Sequence, residues 1–232
     1  MGNRAVITTE KKDMALYLHW NGGRDSVEAF LKYCELRKFR PPSSDCYGWA
    51  RLCQVIGNFF GADGLSVGIS PYTDDERENP GDNGIYVIRG WEIVDRVYPW
   101  ESFTDADEQR CYDLDEMLRG IDSAQPREQQ LGAYLSAEVI PVSELRIGDM
   151  VYMDRIGAVP EPFEVVGFGT KEHVNGGGYL GKPYVAQWGK VPEDNPNNYP
   201  HLGGDTCRIV PRKSLKELEE GVGQVLSRFA DK

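Results

Sequence analysis

Apolar positions along the chain change between a period of two and a helical period, and the changes outline its elements. Residues 5–9 and 15–20 read as two short strands, joined by the polar turn 10–13. Val27, Phe30, Leu31 and Cys34 then recur at spacings of three and four, which predicts a helix over 26–37. Asp25, with Glu28 three residues on, fits its N-terminal cap. The run Arg-Pro-Pro-Ser-Ser at 40–44 interrupts the chain. A second helix is expected over 45–60, with Trp49, Leu52, Cys53, Ile56, Phe59 and Phe60 on one face and Gly61 as its stop. Residues 65–69 read as a strand and 72–84 as a polar loop. Residues 85–88 and 91–97 read as a hairpin turning at Arg89-Gly90. A third helix is expected over 104–121. Its inward positions are Cys111, Leu114, Leu118 and Ile121, and Glu108, Asp115 and Asp122 point outward at spacings of seven.

The pattern changes character around 125–138. From Pro141 onward the chain is strand-rich, with further strands expected at 163–168, 184–188 and 206–210 and a glycine- and asparagine-rich loop region between them. A last helix is expected from Ser214, which stands in capping-box spacing with Glu217. Leu145-x-Ile147-Gly148-Asp149-x-Val151 resembles the first strand of small SH3-like barrels. The fold class that follows is α+β. Residues 1–138 form a sheet covered by three helices, and residues 139–232 form a small SH3-like β-barrel module with a C-terminal helix.

Charge alters this picture by its placement. The chain of 232 residues carries a net charge of −11. Residues 74–138 hold 17 acids and six bases, whereas the rest of the chain balances at 20 of each, so the whole excess lies in one central segment. A basic nucleic-acid-binding domain is thereby disfavoured, and a protein partner with a basic surface is favoured. The alternative is a solvated face that maintains solubility. No apolar run approaches the ~20 residues of a membrane helix. The start of the chain lacks the apolar core of a signal peptide. Gly2 suggests myristoylation, but Val6 stands where serine or threonine is expected. The expectation is a soluble, cytoplasmic protein with no membrane contact.

The five cysteines are odd in number and contain no Cys-x-x-Cys pair, which reads as reduced thiols rather than a disulfide framework or a zinc site. The three histidines, His19, His173 and His201, show no ligand spacing among themselves. The acidic residues 74–78 with Asp82-Asn83-Gly84 lack the spaced ligands of a calcium loop and read as solvated. No metal and no cofactor is expected. The region 170–204 holds Tyr179 and Trp188 among glycines and asparagines. It reads either as a contact surface for a partner or as ordinary turns.

One local constellation carries chemistry. Asn21-Gly22-Gly23-Arg24-Asp25-Ser26 stands between an apolar strand and a helix. Glycine lets the backbone approach an anion, a helix N-terminus favours negative charge, and Arg24 adds a bidentate donor. The run resembles the Ser-Gly-Gly-x-Asp-Ser loop of the PP-loop ATP pyrophosphatases. Gly22, Gly23, Asp25 and Ser26 match, and Asn21 replaces the first serine. The resemblance implies a pyrophosphate-binding loop of Asn21, Gly22, Gly23, Arg24 and Ser26. His19 nearby is the candidate general base. The surrounding pattern lacks the repeated strand–helix units of that family. A tight strand-to-helix turn with an ordinary cap is the alternative.

Residues 2–10 with 16–34, and 165–174 further on, resemble a family of uncharacterised proteins of phages and mobile elements of gut bacteria. That resemblance brings no activity or catalytic residue. It implies a setting in which acidic accessory proteins inhibit host defence systems. Two readings follow. The first is a non-enzymatic, phage-derived binding protein whose acidic segment, with Glu108, Asp115, Asp122, Tyr179 and Trp188 as contacts, meets a basic surface that normally binds nucleic acid. The second is a nucleotide- or phosphate-binding protein, or an enzyme, that uses the loop at 21–26.

Overall fold

The computed structural model describes residues 3–42, 46–61, 66–73, 82–97, 112–153, 159–168, 183–185 and 205–212. The expected helix from Ser214, most of the third helix before Leu114, and Tyr179 and Trp188 lie outside them. The chain divides into two compact units. One comprises Met1–Gly132 with Asp154–Val159, and the other Ala133–Met153 with Pro160–Lys232. Secondary structure is mixed, with helices and two five-stranded sheets.

In the first unit β1 (Ala5–Thr9) and β2 (Met14–Leu18) form the expected antiparallel hairpin. Lys12 takes a left-handed conformation in its turn, at φ 51°. Helix α1 (Arg24–Leu36) and helix α2 (Cys46–Phe60) follow, and Gly61 ends α2 at φ +64°. β3 (Val67–Pro71) returns antiparallel to β2. β4 (Ile85–Arg89) lies parallel to β1, and β5 (Glu92–Val97) folds back on β4 with a register shift between Val87 and Ile88. The sheet order is β3-β2-β1-β4-β5.

The register sorts the strand residues onto two faces. Ala5, Ile7, Leu16, Leu18, Tyr86 and Ile88 share one face and are wholly inaccessible. Val27, Phe30, Leu31 and Cys34 of α1 and Leu52 and Ile56 of α2 are equally buried, and α1 touches α2 and β5 while α2 touches β3. Removing this much apolar surface from water is the main stabilising term of the unit. On the opposite face Val6, Ala15 and Ile85 form a smaller cluster, with Tyr17 and Tyr72 packed against it.

Helix α3 is described over Leu114–Ala124, so it runs three residues beyond the expected end. It packs against α1 and α2. Leu118 and Ile121 are buried as expected. Asp122, expected to face outward, is also buried. Its Oδ1 accepts the Leu131 N–H at 2.6 Å and its Oδ2 the Gly132 N–H at 2.9 Å. The spacing of seven from Asp115 drifts toward the core on a straight helix, because 3.6 residues per turn do not divide seven. The carboxylate thus anchors the segment after the helix. The Tyr33 hydroxyl and an Arg37 guanidinium nitrogen hold the same segment by donating to the Gln129 carbonyl at 2.7 and 3.0 Å.

In the second unit β6 (Glu138–Pro141), β7 (Met150–Met153), β8 (Glu161–Phe168), β9 (Pro183–Val185) and β10 (Thr206–Ile209) form an antiparallel sheet of order β6-β10-β7-β8-β9. Its core is Ile140, Leu145, Val151, Val165, Val185 and Ile209. The turn before β7 places Gly148 at φ +92° and leaves Ile147 exposed. Asp149 accepts from Arg146 N–H at 2.7 Å and pairs with Arg212 through Nε and a terminal nitrogen at 2.9 and 2.7 Å. No closed barrel is present among the described residues.

Candidate functional site

The chain leaves β2 through His19 and Trp20 and turns at Asn21, which takes a left-handed conformation at φ 53°. Asparagine tolerates that conformation better than most residues. Gly22 then packs against the start of β1. A Cβ there would stand 2.7 Å from the Ala5 Cβ, the Ala5 N and the Arg4 C. The Gly22 N–H donates to the Asn3 carbonyl at 2.8 Å, and its carbonyl accepts the buried Tyr86 hydroxyl at 2.9 Å. The second residue of the Gly-Gly pair is therefore the N-cap of α1, and the first is required by close packing on β1.

Gly23 supplies no side-chain cap, which corrects the Asp25–Glu28 capping expectation. The Asp25 carboxylate instead accepts the N–H of its neighbour Ser26 at 2.7 Å. Arg24 is the first helical residue. Its Nε donates to Glu28 Oε1 at 2.8 Å, and Glu28 Oε2 accepts the Tyr112 hydroxyl. Burial and the Glu28 carboxylate together push the Tyr112 phenol up to about 12. Ser26 is buried.

His19 is not brought to this loop. Its Nδ1 lies 3.0 Å from the Tyr17 hydroxyl, and its ring meets Tyr17 and Trp20 edge-on. Tyr17 belongs to the sheet face of Val6 and Ile85, whereas the Tyr86 hydroxyl reaches Gly22 on the other face.

The residues around Asp82-Asn83-Gly84, expected to be a solvated loop, fasten the ends of β1 and β4. Arg4 makes a two-pronged ion pair with Asp82, Nε to Oδ2 at 2.8 Å and a terminal nitrogen to Oδ1 at 3.1 Å, and its backbone N–H adds a third bond. That hydrogen bonding holds the Asp82 carboxyl below the usual carboxylate range. Asn83 is buried and donates to the Asn3 side chain and the Arg4 carbonyl, and Arg96 Nε donates to the Asn83 carbonyl at 2.9 Å. The Arg96 guanidinium lies over the Tyr86 ring at 4.4 Å. Sequence reasoning missed Tyr86, Asn83 and Arg96. Their partners are 64, 80 and 13 residues away, and the only local signal was the Asp-Asn-Gly turn.

A second feature arises because Tyr112 joins the starts of α1 and α3. Asp25, Glu28, Asp113, Asp115 and Glu116 come from these two helix starts, with Arg24 as counter-charge. Asp113 caps α3 by accepting the Glu116 N–H at 2.9 Å. Carboxylates at helix N-termini are favoured by the macrodipole, which accounts for their place in the fold. Asp113, Asp115 and Glu116 are exposed beside the partly exposed Tyr112. Of the expected contact residues only Asp115 stands on this surface, and Glu108 lies outside the described residues.

Among the described residues no group of three or more histidine, cysteine or carboxylate side chains has the geometry to hold a metal, and no helix is long and apolar enough to cross a membrane. Burial raises the thiols of Cys34 and Cys53, Cys53 to about 11, while Cys46 is exposed. No family model, no curated protein and no solved structure matches the chain.

Proposed function

We propose that this is a non-enzymatic binding protein whose acidic face meets a basic protein surface. The observation that carries the reading is the junction of the α1 and α3 starts. It sets Asp113, Asp115 and Glu116 in solvent around Tyr112, where carboxylates and an aromatic ring suit an arginine- and lysine-rich partner. The resemblance to phage and mobile-element proteins supports a setting in host-defence inhibition, with a nucleic-acid-binding surface as the basic target. The second unit is read as SH3-like. The adjacency of its last described strand, β10, to β7 supports that reading.

Reversing Asp115 and Glu116 to lysine tests the central part. Both are exposed and neither caps a helix through its side chain, so the fold should persist while a basic partner is lost. Retention of the same partner by the reversed variant contradicts the reading.

The alternative is an anion at the N-terminus of α1. It is favoured by one observation, that the N-cap Gly23 provides no side chain to the first-turn N–H groups, of which the Asp25 carboxylate accepts that of Ser26. Calorimetry with ATP, AMP and pyrophosphate decides it. Heat that Arg24→Ala abolishes supports a phosphate site. No heat from any of the three leaves the loop a structural turn.

A further inference from the structure

We draw no further inference here: the strongest candidate, the basic surface patch around the start of α2, where the Arg40 guanidinium lies over the Tyr47 ring and that of Arg51 over the Phe39 ring, carries nothing because a nucleic acid and an acidic protein segment would satisfy its charge equally and nothing in the structure shows what covers it.

Discussion

A Cβ on Gly22 would meet the backbone and Cβ of β1 at 2.7 Å, whereas one on Gly23 would meet only the movable Asp25 Oδ1, at 3.0 Å. Gly22→Ala is therefore expected to cost about 1–3 kcal/mol through overpacking, and Gly23→Ala less than about 1 kcal/mol, the scale of an N-cap change. Denaturant midpoints of the two variants check this. Equal losses would show that the close approach to β1 is not what requires glycine. At the same scale, the Arg212 hydrogen bond holds the Asp149 carboxyl below its usual range. A carboxyl whose folded pKa is depressed contributes stability above its unfolded value, about 4, and that stability is lost as pH falls through the folded value. Acid titration of Arg212→Gln, followed by unfolding midpoint, should show a shallower loss below about pH 4 than the wild type. An identical acid limb would remove the pair from the second unit's pH response. None of these residue roles was legible locally. The Gly-Gly-Arg-Asp run does not itself reveal that Ala5 and Tyr86 stand against Gly22.

The elements themselves were largely written in the hydrophobic spacing. The β1–β2 hairpin, α1, α2 and the β4–β5 hairpin stand within a few residues of their expected bounds, because each has an apolar period and a turn residue to end it. Gly61 and Gly90, at φ +64° and +65°, are such ends. The start of α1 was misplaced because the cap was sought in a side chain, and here a glycine backbone takes that position. The inward turn of Asp122 was missed for a different reason. A carboxylate reads as solvent-facing unless the N–H groups it satisfies, here those of Leu131 and Gly132, are known in advance. Asp122→Ala leaves both donors without their acceptor and is expected to cost about 1–3 kcal/mol or more. Tyr33→Phe, which removes one bond to the same segment, should cost about 1 kcal/mol. Thermal or denaturant unfolding compares them. A smaller loss for Asp122→Ala than for Tyr33→Phe would mean that the segment after α3 is held chiefly by its contact with α1.

At the scale of the whole molecule, α+β composition followed from the element pattern, but strand order did not. The parallel pairing of β1 with β4 joins residues about 80 positions apart, and nothing local marks it. In the second unit β6 pairs with β10 across a comparable span, and β6 itself passed unnoticed among the polar residues that precede Pro141. Charge was legible at this scale as a segment, yet only the packing of α1 against α3 sets three of its described acids, Asp113, Asp115 and Glu116, near the start of α1. The acidic face is central to the proposed function. The most direct measurement is affinity capture from a bacterial host lysate, run in parallel with wild type and with the Asp115→Lys, Glu116→Lys double variant at low and high salt. The expected result is a retained protein with a basic surface, released by salt because exposed charges are screened within about 8 Å at physiological ionic strength, and not retained by the double variant. Retention unaffected by both the reversal and the salt, or no selective retention by the wild type at low salt, would contradict the claim that this acidic face is the binding surface.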